Sequence, residues 1–572
     1  MRATEAGSRR FSLLALAPAL ALGALIVPIV CGLAATVLPA FGHFPALGAS
    51  GPGLDPWREL WATPGLGQSV WLSLSTGLVT TALSLAAVAL FTAAWSGTRA
   101  FRITMRLLSP LLALPHAAAA FALAFLIAPT GMLARLASPW ATGWTRPPDL
   151  LILNDPAGLS LMGGLVVKEI PFLMLVTLAA LQQSRAVEAR RLAASFGYGR
   201  VRGFLTTVWP GLYRQIRLPV FAVLAYATSV VDVAIVLGPA TPPTLAVRLT
   251  QWMADPDLTL RLKASAGALL QLGVTLLALG LWVALERVGR WLLHRTIETG
   301  RRGLRDGWAR GVALAAGLLP TVAIGLGLTT LALWSVSGFW RFPAVVPPTL
   351  SIAPWERTLA GLTGPIGTTL AIALVSATVA LVLVLGCLER EARTGRTGGE
   401  RALWLLYLPL VMPQVVFVFG LQLFFLWLGI DATLGALVLA HLVFVLPYVF
   451  LSLSDPWRAF DGRLVHMARA LGHGADGVFW RVRLPMLARA VLAAAAIGVA
   501  VSVGQYLPTL LVGAGRFPTV TTEAVALAAG GDRRVLAVTA LVQALLPFLA
   551  FAFAALVPAI AFRNRRAMKA AG

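Results

Sequence analysis

Charge is what this sequence has least of. Of its 572 residues, 12% are charged and 58% apolar, whereas a soluble globular chain carries about 25% charged residues. That shortage excludes an ordinary water-soluble fold and points to a chain lying mostly in lipid. Cysteine is scarce too: Cys31 and Cys387 are the two present. Both fall in apolar runs and read as small core residues, not a disulfide or a metal pair. The six histidines are scattered, so no metal site is expected. Lysine is confined to Lys168, Lys263 and Lys569, and none follows a glycine. A phosphate loop needs Gly-Lys-Ser/Thr to neutralise phosphates and hold magnesium, so this chain is not expected to hydrolyse ATP itself.

What is abundant is long apolar runs separated by arginine. The net charge of +23 is nearly all arginine. A basic balance suits nucleic acid, but in a membrane chain the positive-inside bias produces the same excess. The opening "SRRFSLLALAPALALGALIVPIVCGLAATVL" mimics a signal peptide. Its apolar part is about twice a signal h-region and has no clean small-x-small cleavage site, so it reads as an uncleaved first span. Val30 before Cys31 argues against lipoprotein processing.

Roughly 20 apolar residues cross the hydrocarbon core, and helices satisfy their own backbone there. The expected fold is therefore an all-α polytopic membrane protein with about twelve transmembrane helices. The first six spans are Phe11–Leu38, Ser69–Trp95, Leu107–Ala128, Gly158–Leu181, Ile216–Leu237 and Ala264–Leu285. The second six are Gly311–Val336, Gly364–Leu388, Ala402–Leu428, Ala432–Leu453, Ala490–Val512 and Val535–Phe562. With both termini cytoplasmic, 34 of the 46 basic residues fall on inner segments, counting Arg217 at the mouth of the fifth span, and 11 on outer loops. That threefold bias supports the orientation. It also spreads the charge over seven inner segments, which removes the case for nucleic acid; "RNRRAMK" at the end reads as a juxtamembrane anchor.

The chain repeats itself. "ASFGYGRVRGFLTTVWP" (Ala194–Pro210) and "RALGHGADGVFWRVRLP" (Arg469–Pro485) align at an offset of 275, matching Gly197, Gly199, Phe204 and Pro210 with Gly472, Gly474, Phe479 and Pro485. Gly238, Pro243, Thr244 and Asp257 continue in the same register with Gly513, Pro518, Thr519 and Asp532. This is a tandem six-plus-six repeat: a half over 1–285, a basic cytoplasmic linker over 286–310, and a half over 311–572. In each half a segment between the fourth and fifth spans, about 188–210 and 463–485, reads as short helix, glycine turn, amphipathic piece, then a proline opening the next span. Two copies in equivalent places point to a two-fold symmetric partner at the cytoplasmic face.

Those segments resemble the cytoplasmic motif of the membrane subunit of type I, binding-protein-dependent ABC importers: Glu-Ala-Ala, three residues, Gly, then a stretch ending in Leu-Pro. Here "RLAASFG" from Arg191 and "HMARALG" from His466 are each followed thirteen residues after the glycine by Pro210 and Pro485. Ala193 and Ala468 match the second alanine; Arg191 and His466 replace the glutamate, and Leu192 and Met467 the first alanine. The resemblance covers nearly all of both halves and is closest to fused permeases of the thiamine, iron(III), polyamine and sulfate group. It implies that each elbow is a coupling helix seated on one of two cytoplasmic ABC ATPase subunits, which bind the ATP and magnesium. It further implies a periplasmic substrate-binding protein docking on the outer loops, and a bacterial inner-membrane location.

Ionisable groups within lipid are functional suspects. Lys168 and Glu169 sit side by side before Pro171, about 100° apart on a helix, and read equally as a buried pair, a snorkelling lysine or a substrate site. Asp232 in the fifth span, with Gln505 and Tyr506 as its near counterparts, completes the candidate substrate path. His116 and Gln414 follow the matching prolines Pro115 and Pro413; His116 reads as a packing residue. The alternative class is an ion-coupled secondary transporter, which also uses a six-plus-six repeat. "GGDRR" (Gly530–Arg534) faintly resembles the major facilitator signature, but it falls outside, and the inner loop "SGTRAFRITMR" lacks it.

Overall fold

The structure, a computed structural model, describes residues 13–45, 48, 51–300, 302–303, 306–396 and 398–563. Phe11, the terminal arginine clusters and Lys569, on which the cytoplasmic termini and the C-terminal anchor rest, lie outside the described residues.

The fold is helical throughout its transmembrane region. The N-terminal part runs α1 (Leu13–Ala40), α2 (Asp55–Trp61), α3 (Leu66–Trp95), α4 (Arg99–Leu108), α5 (His116–Ile127), α6 (Met132–Ala137) and α7 (Leu159–Gln182). It continues with α8 (Ala186–Ser195), α9 (Arg200–Thr207), α10 (Trp209–Ser229), α11 (Asp232–Leu237), α12 (Leu245–Ala254) and α13 (Leu260–Glu298). The C-terminal part begins with α14 (Gly307–Ser335), α15 (Ala353–Thr394), α16 (Glu400–Val411), α17 (Gln414–Trp427) and α18 (Leu434–Arg458). It ends with α19 (Gly462–Ala470), α20 (Ala475–Val478), α21 (Leu484–Met486), α22 (Ala488–Val503), α23 (Leu507–Gly513), α24 (Val520–Leu527) and α25 (Arg533–Ala561). Among the described residues, nine helices are long and apolar enough to cross a membrane, or eleven if two bent pairs each count as one.

The breaks depart from the continuous spans expected of the sequence. Pro115 caps α5 and Pro413 caps α17; each lacks an N–H and holds the residue before it extended, so α16 and α17 meet at 93°. The fifth spans are broken as well: α10 stops at Ser229 with Val230 extended, and α22 stops before Gln505 and Tyr506. Two helices overshoot. At 1.5 Å per residue, the 39 residues of α13 and 42 of α15 reach about 60 Å, twice the thickness of the hydrocarbon core.

Packing crosses between the two parts. α1 lies on α17, and α14 lies on α5. At the first crossing a Cβ on Gly420 would sit 1.8 Å from the Gly32 carbonyl oxygen, and one on Gly32 would sit 2.3 Å from that of Phe417. The Thr36 hydroxyl donates to the Val416 carbonyl at 2.7 Å. At the second crossing a Cβ on Gly327 would lie 2.5 Å from the Ala122 oxygen. Without a hydrophobic force between helices in lipid, such close backbone approach at small residues is what holds them together. α3 packs with α7 and α10, and α15 with α18 and α22. At the end of the molecule that carries α6, Arg135 (2% exposed) donates to the carbonyls of Thr130, Arg341 and Ala344 at 3.0, 2.9 and 2.7 Å and stacks on Trp340.

Candidate coupling elbows and translocation path

The two elbows share one backbone device. In the first, Gly197 takes φ +76°, its N–H donates to Ala194 O at 2.9 Å, and the Tyr198 N–H donates to Ala193 O at 3.0 Å. In the second, Gly472 takes φ +85°, its N–H donates to Arg469 O at 2.9 Å, and the His473 N–H donates to Ala468 O at 3.1 Å. These paired bonds are the Schellman motif, which needs a left-handed residue just past the helix end. Ala193 and Ala468, both buried, supply the carbonyl of the longer bond; a Cβ added to Gly203 would sit 3.2 Å from the Ala193 methyl. Pro210 stands in the first turn of α10, and Pro485 in that of α21.

Each elbow is tied to the end of a long helix from its own part of the chain, with different chemistry. Arg200 of α9 donates to Ala94 O at 2.6 Å, in the last turn of α3, and to Ser96 O at 2.7 Å, just past its end. In the second elbow Asp476 pairs with Arg393 of α15 at 2.8 Å, and Glu389 of α15 bonds both Arg393, at 2.7 Å, and Arg483. Asp461 accepts from the Arg463 amide at 2.9 Å, capping α19; hydrogen bonds from Arg463 hold this carboxyl below the usual carboxylate range. The segment after α13 also closes over the first elbow: the Gly199 N–H donates to Arg302 O at 2.9 Å and the Val201 N–H to Asp306 Oδ2 at 2.8 Å.

The outward faces of the elbows match. Leu192 and Phe196 are 59% and 62% exposed, and their 275-residue counterparts Met467 and Leu471 are 61% and 78% exposed. Four residues apart, each pair lies on one face of its helix. Arg191 and His466, at the position of the motif glutamate, are exposed beside them.

The polar residues of the candidate path gather mostly around α7, α10 and α11. Glu169, 4% exposed, receives His116 Nε2 at 3.3 Å, and the His116 ring lies 4.8 Å from that of Tyr226. His116 is therefore part of the cluster; its side chain is 38% exposed, which corrects its reading as a packing residue. Lys168 turns elsewhere: its Nζ donates to Leu111 O at 2.9 Å. Asp232, buried at the first turn of α11, is within electrostatic reach of His116, Tyr226 and Tyr506. Tyr448 of α18 stands within similar reach of Glu169 and Tyr226. Gln505 is buried at the α22–α23 break. Sequence reasoning overlooked Tyr226 and Tyr448, although tyrosine is rare here, six in all. It also passed over buried His441, whose Nδ1 and Nε2 meet Ser502 Oγ at 2.8 Å and Thr509 Oγ1 at 3.0 Å.

Residues 379–563 match the family model described as the binding-protein-dependent transport system inner membrane component. The inner membrane ABC transporter permease protein YnjC of Escherichia coli K12 is 34% identical over 505 residues, covering 88% of this chain and 90% of that protein. The chain belongs to this permease family. The permease is also similar to the spermidine/putrescine transport system permease protein PotC of Haemophilus influenzae, 28% identical over 95 residues, which cover 17% of this chain and 37% of that protein. The molybdenum transport system permease protein ModB of Mycobacterium bovis is 31% identical over 187 residues, covering 29% of this chain and 70% of that protein. The permease is accordingly a multi-pass inner-membrane protein of the ABC type, a class that works with an ATPase and a binding protein in the bilayer. Membership sets aside the ion-coupled secondary transporter.

Proposed function

We propose that this permease supplies both membrane halves of one importer: twelve spans in a six-plus-six repeat, both termini cytoplasmic, with halves over 1–285 and 311–572 joined by the linker 286–310. The two elbows each seat on a cytoplasmic ATPase subunit, which alone binds ATP and magnesium. A periplasmic binding protein delivers a thiamine-like, polyamine or iron(III) substrate to the path lined by Lys168, Glu169, Asp232, Gln505 and Tyr506. ATP-driven approach of the ATPases pulls the elbows together and flips the path between its two openings.

The observation that carries this reading is the duplicated elbow itself: two Schellman turns 275 residues apart, each presenting an exposed apolar pair beside a buried alanine. Exposed apolar groups grouped on a polar face mark a protein interface, and two copies call for two partners. The test is co-purification of the tagged chain with an ABC ATPase from its native membrane. The double variants Leu192→Asp/Phe196→Asp and Met467→Asp/Leu471→Asp are each expected to lower ATPase recovery several-fold while leaving the chain in the membrane. Undiminished recovery with both double variants combined in one chain contradicts the elbow assignment.

A further inference from the structure

The candidate path carries an unbalanced charge. Glu169 and Asp232 are both more than nine-tenths buried, and among the described residues neither pairs with a lysine or arginine within 4 Å. Lys168 stands within electrostatic reach of Glu169, but its Nζ donates to the Leu111 carbonyl at 2.9 Å and makes no ion pair with the carboxylate. His116 meets Glu169 on one side only. Asp232 stands at the first turn of α11, with His116 within electrostatic reach but, among the described residues, no lysine or arginine paired to it. A buried carboxylate without a full counter-ion is costly in a low-dielectric interior, and the cost is relieved either by proton uptake or by a cationic ligand.

Aromatic faces complete the picture. Tyr226, Tyr448 and Tyr506 are half-buried and come from α10, α18 and the α22–α23 break, so both parts of the chain contribute. Tyrosine rings attract a cation through their negative faces. Among the described residues no three His, Cys, Asp or Glu side chains converge at metal-ligand spacing, so this geometry suits a cation larger and softer than a metal ion.

We infer that this cluster binds an organic cation in transit, with Glu169 and Asp232 as its counter-charges and Tyr226, Tyr448 and Tyr506 as its walls. The inference rests on the permease reading and selects among its substrates: an ammonium or heteroaromatic cation is admitted, and an oxyanion is refused. Lys168, which leaves the sign of the site undecided in the sequence, bonds the Leu111 carbonyl and offsets part of the Glu169 charge, so two buried carboxylates face one lysine and the surplus is negative.

The test is direct binding to the detergent-solubilised permease co-purified with its ATPases, followed by tryptophan fluorescence, with spermidine, thiamine and tetraethylammonium against molybdate and sulfate. At least one organic cation is expected to bind saturably and neither anion to do so. Glu169→Gln and Asp232→Asn, both isosteric, are each expected to weaken that binding at least tenfold, whereas Glu356→Gln, an exposed acid at the start of α15, leaves it within twofold. Binding of an anion, absence of binding by all three cations, or affinity unchanged in both path variants overturns the inference. Recovery of the ATPases in the same preparation reports separately on the permease reading.

Discussion

Lys168 and Glu169 show what one helical step decides. Adjacent in the sequence, they bond to Leu111 and His116, groups 57 and 53 residues away. The sequence announces that both are costly in lipid but not where each one points, since the partners come from the turn before α5 and from α5 itself. Replacing Lys168 by methionine removes a buried charge-assisted bond worth about 1.5–3 kcal/mol. It is therefore expected to lower the detergent unfolding temperature without weakening cation binding; loss of cation binding by the folded variant contradicts the assignment of Lys168. Gly472 is a cleaner case. A Cβ there meets nothing within 4 Å, so Gly472→Ala costs only the left-handed backbone, roughly 1–2 kcal/mol. Gly472→Ala and Gly197→Ala are expected to lower substrate-stimulated ATPase activity with normal membrane abundance, measured in reconstituted complexes. Unaltered stimulation in both shows that the turns can be strained without loss of coupling.

At the scale of the element, the elbows were the most legible feature. Ala193/Gly197 and Ala468/Gly472 stand at the spacing a Schellman turn requires, and the structure builds that turn twice. Helix breaks were legible where proline marks them, at Pro115 and Pro413. The break after Val503 is marked too, by Gly504, Gln505 and Pro508 in the first turn of α23, but the break after Ser229 carries no such mark: the apolar run continues through Val230 and Val231, and what interrupts it is tertiary, the placement of Asp232 in the polar cluster. Helix crossings were illegible for a related reason, because a glycine in a transmembrane run does not name the helix it will touch. The contacts now give a prediction. Gly420→Leu forces α17 off the Gly32 carbonyl, and Gly327→Leu forces α14 off Ala122. Each is expected to destabilise by about 1–3 kcal/mol or more through overpacking, read as a lowered unfolding temperature, whereas Gly23→Leu, with nothing within 4 Å of its Cβ, is expected to be tolerated. Equal stability of all three variants removes the role given to these crossings.

For the molecule as a whole, composition alone specified a helical membrane protein, and the arginine distribution proposed its orientation. The packing of α1 onto α17 and of α14 onto α5 makes each part of the chain complete the other, as the proposed two-half permease requires. What remained hidden was asymmetry. The first elbow is held by backbone carbonyls and covered by Arg302 and Asp306, while the second is held by Glu389 and Arg393 of α15. The central claim is that one chain carries two docking elbows for two ATPases. Native mass spectrometry of the complex, extracted gently from its own membrane, tests this most directly. One permease chain with two ATPase copies is the predicted result; two permease chains per pair of ATPases, or the chain recovered without any ATPase, would contradict it.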